Sequence, residues 1–427
     1  MNVAAKVLTK DAHVVKCLDQ IAGQKRLGQQ REPHWFHPFP ARLPLAVASH
    51  IIGSLTKPDA VIVDPMVGSG TTLIAARRLA RPSIGVDRDH LAVRIARCAS
   101  HDFGSRSLKC LGDTIITNAH SLFASSSFRL PKVRARLPQD DQDFIRYWFP
   151  PKSQRQLFAL ASIIGDMESG PERDFAWVVF SSLIIAKSAG ASHALDISRS
   201  RPHKRLDKPV VAPFDAWQRR FRSAVSFLPF LDKKLSCTSE VHHGDARDLP
   251  LQDASVDCIL TSPPYRNAID YMRCHKFSLV WMGHRITDLR ELRGTMIGTE
   301  RGLWSLDGLP PPVEARLNRA AAEPRQVALM RQYLSDMRKL VGEFSRVLRP
   351  CGLAVVVVGP TMVNVRKSDA ADVFGQIASL AGLDLVASIQ RSLDATRRSL
   401  PLPRHGAGSI DLGKRMRREI VLVMRKP

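Results

Sequence analysis

The stretch with the clearest potential for chemistry runs from Asp257 to Tyr265 and reads Asp-Cys-Ile-Leu-Thr-Ser-Pro-Pro-Tyr. Prolines have no amide hydrogen, so the carbonyl groups of Ser262 and Pro263 can face outward as acceptors beside the Ser262 hydroxyl. Tyr265 adds a flat ring next to them. These groups suit a planar molecule with an exocyclic amine, because the amine donates while the ring stacks. A plain turn that ends a strand, with Tyr265 packed below it, is the structural alternative.

A second stretch, Ala60 to Thr72, has the composition of a ligand cradle. Gly68 and Gly70 let the backbone pass close to a ligand, and the helix that follows presents free amide donors. No Gly-Lys-Ser/Thr follows the glycines, which argues against a nucleoside triphosphate. Asp87 lies 23 positions after Asp64, near the interval at which a βαβ unit places a carboxylate against ribose hydroxyls. Asp89, in the same turn, is the alternative acid.

Both stretches resemble motifs of the S-adenosylmethionine-dependent amino-methyltransferases of DNA. Thr261 to Tyr265 is similar to that family's catalytic motif, an Asp, Asn or Ser followed by Pro-Pro and an aromatic residue. Asp64 to Thr72 resembles its cofactor motif, with Met66 where Phe is commoner. The resemblance implies methyl transfer from S-adenosylmethionine to an exocyclic base amine, and the Ser form favours the N4 amine of cytosine. An adenine-N6 methyltransferase of DNA, an RNA base methyltransferase and a non-catalytic DNA-binding protein are the alternatives.

The resemblance also implies roles for individual residues. The catalytic turn consists of Ser262, Pro263, Pro264 and Tyr265. The cofactor-binding candidates are Phe36, His37, Pro38, Asp64, Pro65, Gly68, Gly70, Thr71, Asp87 and Asp245. The first three belong to a segment rich in proline and aromatic residues, 34–44, for which a strap packed on the core is the alternative. Asp245 is the acid expected to contact the adenine amine of the cofactor. It is preferred to Asp113, which fits the usual spacing better, because its strand leads straight to the catalytic turn.

The charge of the chain indicates the partner. The 63 Lys and Arg residues against 40 Asp and Glu give a formal net charge of +23, which is typical of a polyanion-binding surface. Double-stranded DNA, from which the target base flips out, is therefore the predicted partner. The candidate DNA contacts are Arg199, Arg201, Lys204, Arg205 and Arg273. A solvated loop is the alternative for the first four. A cognate restriction endonuclease and the oligomeric state are left open.

Several other classes are excluded by the sequence. No apolar run approaches the roughly 20 residues of a spanning helix, and the N-terminus lacks a signal-peptide core, so a cytoplasmic, nucleoid-associated protein is expected. The seven cysteines are scattered without Cys-x-x-Cys spacing, which indicates reduced thiols, and no metal is expected. Cys351 follows a proline, as does the nucleophile of enzymes that methylate ring carbon 5 of cytosine. It lies in a helix-to-strand turn away from the cofactor loop, so that function is rejected.

These residues need a scaffold that brings the ends of several strands together. Short apolar strands are predicted at 60–63, 82–87, 240–244, 256–260, 353–359 and 418–424. Helices are predicted at 45–55, 73–79, 267–282, 327–348 and 373–381. The fold implied is α/β, a Rossmann-like class I methyltransferase with a doubly wound, mostly parallel sheet and a mainly helical insertion. The expected domains are an N-terminal segment with the strap (1–58), a catalytic domain (59–104 and 237–427) and a basic helical insertion (105–236). Residues 285–330 are expected to be irregular and basic, a second candidate for target contact.

Overall fold

The computed structural model describes residues 6–7, 11–23, 37–103, 105–186, 189–197, 202–228, 237–265, 270–300, 308–319, 323–359, 370–392 and 418–427. The strands within these residues are β1 (Lys6–Val7), β2 (Ile62–Asp64), β3 (Ser83–Asp87), β4 (Ala194–Leu195), β5 (His203–Lys204), β6 (Ser239–His243), β7 (Val256–Thr261), β8 (Leu348–Val358), β9 (Asp384–Ser392) and β10 (Arg418–Arg425). The α-helices are α1 (Ala12–Gly23), α2 (Leu45–Leu55), α3 (Thr71–Arg78), α4 (His90–Ser100), α5 (Ser105–Ala124), α6 (Leu130–Arg134), α7 (Gln139–Trp148), α8 (Pro151–Gly165), α9 (Pro171–Ile184), α10 (Pro213–Phe227), α11 (Tyr271–Leu279), α12 (Ile286–Thr295), α13 (Pro311–Asn318), α14 (Pro324–Val347) and α15 (Ala370–Leu380).

One large sheet organises the molecule, with the strand order β1-β9-β10-β8-β7-β2-β3-β6. Strands β6, β3, β2, β7 and β8 pair in parallel. Strand β10 runs antiparallel to both β8 and β9, and β1 runs antiparallel to β9. From β2 the chain builds outward through β3 to β6, then returns to build β7 and β8 on the other side. The order therefore reverses between β2 and β7, the position at which doubly wound sheets bind ligands.

Strand β7 shows how local sequence produces this arrangement. Its residues are largely buried, and it pairs in parallel with β2, where Cys258 lies opposite Ile62. Successive side chains of a strand point to opposite faces. Accordingly, Leu260 joins the hydrophobic cluster on one face and Ile259 joins the cluster on the other. The strand ends at Thr261, because the two prolines that follow cannot donate to the ladder.

Caps fix where the loops at the carboxyl edge turn into helices. Gly70 caps α3 in the left-handed region, with φ 80°. Asp89 caps α4 by accepting from the amides of Leu91 and Ala92, and Asp270 caps α11 by accepting from the amide of Arg273. Five further helices, α8, α9, α10, α13 and α14, begin with proline, whose missing amide costs a helix nothing at its first position.

Helices cover both faces of the sheet. Helices α1 to α5 and α7 to α12 contribute to one hydrophobic cluster, and α13, α14 and α15 contribute to the other. The predicted insertion, 105–236, is helical over most of its described residues, and its helix α9 packs against α4 and α11. The insertion therefore shares the core of one face of the sheet, and the division into three domains stays a prediction.

The predicted fold class is confirmed, and helix α2 has the predicted bounds. The expectation that residues 285–330 are irregular was wrong, because α12, α13 and the start of α14 lie there, and their role in target contact stays a prediction. The prolines at 310–312 were read as a break in the chain, yet two of them begin α13. In the described part of the chain, no helix is long and apolar enough to cross a membrane.

Candidate active site

A cleft opens at the carboxyl edge of the sheet, where the strand order reverses. It contains about 900 Å³ of space, part of it open to solvent. It is lined by Phe39, Ala41, Arg42, Leu43, Asp64, Pro65, Met66, Val67, Gly68, Ser69, Thr71, Thr72, Asp87, Arg88, Asp89, Ala92, Asp245, Ala246, Ser262, Pro264, Tyr271, Met296 and Ile297. The loops after β2, β3, β6 and β7 thus meet in one place, as parallel strands require.

Two residues of the catalytic turn, 262–265, form part of the cleft wall, whereas Pro263 is buried and does not line it. Ser262 and Pro264 line it, while the Ser262 hydroxyl donates to the carbonyl of Val357 on β8 at 3.2 Å. Since its hydrogen is used there, the Ser262 oxygen is left with lone pairs that can accept. Tyr265 does not line the cleft. Its hydroxyl donates to Glu419 at 3.0 Å, and Glu419 in turn pairs with Arg391.

The cofactor loop, residues 64–70, forms the opposite wall. Gly68 has φ 50°, and a Cβ atom there would lie 3.2 Å from the ring of Phe39. Gly70 also has positive φ, and a Cβ atom there would lie 3.2 Å from the backbone of Ala96 in α4. Gly68 therefore lets Phe39 pack directly on the loop, and Gly70 permits close packing of helix α4.

Two acids at this wall have raised pKa values. Burial raises the pKa of Asp64 to about 6, although its carboxylate accepts from the Met66 amide and the Thr72 hydroxyl. Burial and the nearby charge of Asp89 raise the pKa of Asp87 to about 7. Asp87 accepts from the amides of Gly68 and Asp89, each at 2.9 Å. These two bonds use one lone pair on each carboxylate oxygen, so further donors can still bind.

Asp245, at the end of β6, is held differently. Its carboxylate accepts from Arg247 at 2.8 and 3.0 Å and from Arg88 at 3.0 Å. Arg247 also bonds to Asp336 at 2.6 Å, and both arginines donate to the carbonyl of Thr295 at the end of α12. We refer to the side chains of Arg88, Asp245, Arg247 and Asp336 as the Asp245 cluster. Burial opposes ionisation, but the two arginines hold the pKa of Asp245 below its usual value.

The residues of the cleft fit S-adenosylmethionine. Asp87 lines the cleft and can accept from sugar hydroxyls. Met66, Phe39 and Ile297 provide apolar walls for a purine, while Arg42 can face a carboxylate. Among the described residues, no group of three or more His, Cys, Asp or Glu side chains is placed to hold a metal ion.

Most of the predicted cofactor residues meet in this cleft: Asp64, Pro65, Gly68, Thr71, Asp87 and Asp245. His37, Pro38 and Gly70 do not line it. His37 is buried and bonds to Ser181 of α9 at 2.9 Å, which ties the strap to the insertion. Phe36 lies outside the described residues, as do Arg199 and Arg201. Asp113, the alternative to Asp245, is exposed on α5 and away from the cleft lining.

Several lining residues were missed by the sequence reasoning: Phe39, Arg42, Arg88, Met296 and Ile297. Phe39 and Arg42 lie in the strap that was singled out, a few positions after the residues chosen. Arg88 directly follows Asp87, the acid predicted to bind ribose hydroxyls, so its position in the sequence could have identified it as a lining residue. Met296 and Ile297 follow α12, and nothing in their local sequence indicates that this segment returns to the cleft.

Two of the candidate DNA contacts that the structure describes, Lys204 and Arg205, are consecutive, and the third, Arg273, lies on helix α11. Lys204, on β5, places its ammonium 4.1 Å from the ring centroid of Tyr147, an exposed residue of α7. Arg205 is exposed and pairs with Asp207. Arg273, in α11 close to the cleft, lies 3.5 Å from Asp270. Cys351, with φ 64°, is exposed in β8 and away from the cleft lining.

Part of this chain is similar in sequence to known proteins. A model of N6/N4 methyltransferases, described as DNA methylase, matches residues 16–97. The type II methyltransferase M.ScaI of Streptomyces caespitosus is 37% identical over 78 residues, 18% of this chain and 24% of that protein. M2.DpnII of Streptococcus pneumoniae is 41% identical over 63 residues, 15% of this chain and 24% of that protein. The matched part is about a quarter of the length of these relatives.

Solved structures are similar only at a low level. A TehB-like SAM-dependent methyltransferase from Corynebacterium glutamicum gives a TM-score of 0.29 at 9% identity, covering 89% of this chain and 87% of that one. A SAM-dependent methyltransferase from Methanosarcina mazei gives 0.33 at 8%, covering 88% and 96%. Scores this low carry no argument, so the fold assignment rests on the strand order and directions of the sheet.

The resemblance to DNA amino-methyltransferases is confirmed by the family match and the two relatives. The matched residues include the strap, the cofactor loop and Asp87, and the prediction of S-adenosylmethionine as cofactor is confirmed with them. The catalytic turn lies beyond the match, so its role stays a prediction.

Proposed function

We propose that this chain methylates the exocyclic N4 amine of cytosine in a specific sequence of double-stranded DNA, with S-adenosylmethionine as the methyl donor. The observation that carries the proposal is the Ser262 hydroxyl. It lines the cleft shared with Asp87 and the cofactor loop, and it donates to Val357. Its oxygen is therefore oriented as an acceptor beside the place where the cofactor would bind.

An acceptor is what an exocyclic amine requires. The lone pair of such an amine is delocalised into the ring, which makes the nitrogen a poor nucleophile. When bound, S-adenosylmethionine supplies an electrophilic methyl group. Ser262 and the Pro263 carbonyl would accept hydrogen bonds from the two amine hydrogens and draw the nitrogen toward tetrahedral geometry. The nitrogen would form its bond to the methyl group as the methyl–sulfur bond breaks, S-adenosylhomocysteine would leave, and the methylated amine would lose one proton to solvent. The acceleration would come from positioning and from fixed dipoles rather than from a covalent intermediate.

Tyr265 is proposed to stack on the flipped base. Its hydroxyl is anchored to Glu419, and its side chain is half-buried. Burial and the Glu419 carboxylate raise the pKa of Tyr265 well above its usual value, so the phenol stays neutral. A neutral ring held at its far end is suited to stacking, since only its faces need to meet the base.

DNA is the proposed partner, in agreement with the description of the matching family model, DNA methylase, and with the net charge of +23. The hairpin of β4 and β5 carries Lys204, with Arg205 just beyond it, and is proposed to follow the phosphate backbone with Arg199 and Arg201. Arg273 is proposed to contact DNA near the flipped base. The plain test is the salt dependence of DNA binding, in which Lys204→Ala and Arg205→Ala together should lower the slope by about 2.

The reaction is tested by mass spectrometry of nucleosides from DNA incubated with the protein and methyl-labelled S-adenosylmethionine. Label on N4 of cytosine is expected. Label on N6 of adenine would keep the site and correct the base, while label only in RNA, or none at all, would overturn the proposal.

Variants of the turn test the roles of its residues. Ser262→Ala should lower the methylation rate about 100-fold, the size of effect seen when one preorganised polar group is removed from an active site. Ser255→Ala is the matched control, because Ser255 precedes the opposite end of β7 and its hydroxyl donates to the carbonyl of Gln252, away from the cleft lining. Tyr265→Phe should keep most activity and Tyr265→Ala should lose it, since only the second removes the stacking ring.

A further inference from the structure

A buried hydrogen bond joins a histidine to a carboxylate beside the cleft. His275 of α11 is 0% exposed, and its Nδ1 lies 2.5 Å from a carboxylate oxygen of Asp89, which is 2% exposed. The other oxygen of Asp89 accepts from the amide of Leu91 at the start of α4. Burying two such groups costs free energy that attraction and hydrogen bonds must offset, and an apolar pair could have filled the same space. The pair is therefore expected to do more than pack.

A continuous set of hydrogen bonds connects this pair to the cofactor loop. The backbone amide of Asp89 donates to one oxygen of Asp87 at 2.9 Å. The second oxygen of Asp87 accepts from the amide of Gly68, also at 2.9 Å. His275 thus fixes the side chain of Asp89, and the backbone amide of Asp89 fixes the carboxylate of Asp87. Asp87 in turn fixes the loop at the amide of Gly68.

Helix α11, which carries His275, also lies beside the cleft. Helix α11 begins shortly after the catalytic turn, and its Tyr271 lines the cleft. The Tyr271 ring stacks on Phe39 with centroids 5.0 Å apart, and Phe39 lies 5.4 Å from the His275 ring. Helix α11 therefore contacts both the strap and, through His275, the acids after β3.

We propose that His275 is a positioning residue for the cofactor: through Asp89 it orients Asp87 and Gly68 and couples helix α11 to the cofactor loop. The proposal rests on the proposed function, because it takes the cleft to bind S-adenosylmethionine. It assigns His275 no contact with the ligand. Its role is to keep the Asp87 carboxylate facing the cleft with lone pairs available to the sugar.

The geometry supplies a sharp test, because His275 acts through Nδ1. The amide of asparagine can place a donor near the position of Nδ1, whereas the longer glutamine places its donor near Nε2. Binding of S-adenosylhomocysteine, measured by calorimetry on the full chain, should be close to wild type for His275→Asn. It should be about tenfold weaker for His275→Gln and His275→Ala, a size typical of coupling between neighbouring sites.

Ser278→Ala is the matched control. Ser278 is equally buried on α11 and accepts a hydrogen bond from Ser181 of α9, but it makes no bond to Asp89. This variant should leave ligand binding unchanged. The midpoint of the pH dependence of binding should move in His275→Gln and stay in Ser278→Ala, which a loss of packing alone would not produce. If His275→Ala does not fold, the comparison of asparagine with glutamine stands by itself.

The possible outcomes separate the two proposals. Equal affinity in all three His275 variants, or equal weakening in Ser278→Ala, would overturn the positioning role. Normal ligand binding by the wild type without methylation of DNA would overturn the proposed function and leave the His275 proposal standing. A wild-type chain that does not bind S-adenosylhomocysteine would overturn both.

Discussion

The ends of β3 and β6 face the same cleft, and each provides an acid, but the surroundings of the two acids are opposite. Asp87 is held by two backbone amides, and burial and Asp89 raise its pKa to about 7. Asp245 is held by two arginine side chains, and its pKa is lowered despite burial. Backbone amides carry no net charge, so Asp87 keeps unsatisfied acceptor capacity, whereas the charge of Asp245 is already balanced.

The difference predicts separate roles for Asp87 and Asp245. An acid with spare capacity and a raised pKa gains from a ligand that donates hydrogen bonds, as ribose hydroxyls do. An acid balanced by arginines gains little from another donor, and its network instead holds Thr295 beside the cleft. We therefore expect Asp87 to affect ligand binding and Asp245 to affect the stability of the Thr295–Gly298 segment.

The largest expected effect is on the β3 side. Asp87→Asn keeps the shape of the side chain and removes its charge, so S-adenosylhomocysteine should bind about 100-fold more weakly, since hydrogen bonds to a charged group contribute about 1.5–3 kcal/mol. Asp113→Asn is the control, because Asp113 is the alternative acid by sequence spacing and lies exposed on α5. Calorimetry measures both, and a larger effect at Asp113 would reverse the assignment.

The β6 side should respond in stability. Asp245→Asn leaves Arg88 and Arg247 without their shared charge partner, and should cost about 2 kcal/mol, less than a fully buried pair because these groups are partly exposed. Urea unfolding measures this loss. Ligand affinity should change less than about fivefold, since one lost neutral hydrogen bond is worth about 1 kcal/mol. A large loss of affinity at unchanged stability would instead place Asp245 in direct contact with the cofactor, as the family resemblance implies.

The pH dependence should separate the two acids. Because the pKa of Asp87 is about 7, its carboxylate is protonated as pH falls from 8 to 6 and loses acceptor capacity. Ligand affinity should fall about tenfold over that range, 1.4 kcal/mol per pK unit. Asp64, with a pKa of about 6, adds a further decline at lower pH if its charge also matters. Asp87→Asn should remove the decline near pH 7, which calorimetry at several pH values would show.

The contribution of Asp87 to folding stability should change with pH in the direction opposite to its contribution to ligand affinity. Its folded pKa lies above the unfolded value of 3.8, so the folded chain binds more protons and the contribution of Asp87 to stability falls as pH rises from about 4 to 7. Asp245, with a lowered pKa, stabilises above its unfolded pKa and loses that contribution as pH falls below it. Urea unfolding of the two Asn variants against pH would test both signs.

Most of the β3 side could be predicted from the sequence. Asp64, Gly68 and Asp87 are separated by intervals that a βαβ unit fixes, because a short strand, a turn and a helix allow few lengths. The position of the turn at 262–265 could also be predicted, because Pro263 and Pro264 follow directly on β7 and end it. The strands were found because their apolar runs are short and bounded.

The β6 side could not be predicted in the same way. Arg88, Arg247 and Asp336 come together from three distant parts of the chain, and a charged residue on the surface of a helix looks the same in the sequence whether or not it has such a partner. Residues 285–330 were expected to be irregular, yet α12 forms there, since Ile286 and Leu289 pack into the core. Tertiary contacts decided these positions, and a single sequence does not record them.

The smallest expected effect tests what the Asp245 cluster holds. Gly298 has φ 80°, and a Cβ atom there would lie 3.6 Å from Pro264, so alanine fits the space but strains the backbone by about 1 kcal/mol. Gly283→Ala is the matched control, because φ is 92° and nothing lies within 4 Å of the added carbon. Each substitution should lower stability by about 1 kcal/mol in urea unfolding, an effect typical of alanine at positive φ.

The informative quantity is the combination of each glycine variant with Asp245→Asn. If the Asp245 cluster holds the Thr295–Gly298 segment against Pro264, the losses for Gly298→Ala and Asp245→Asn should add to less than their sum, because either one loosens the same contact. The stability losses for Gly283→Ala and Asp245→Asn should be fully additive, since no described contact joins Gly283 to that segment. Full additivity at Gly298 would mean that the two arginines brace only the end of α12, and that the catalytic turn keeps its position without them.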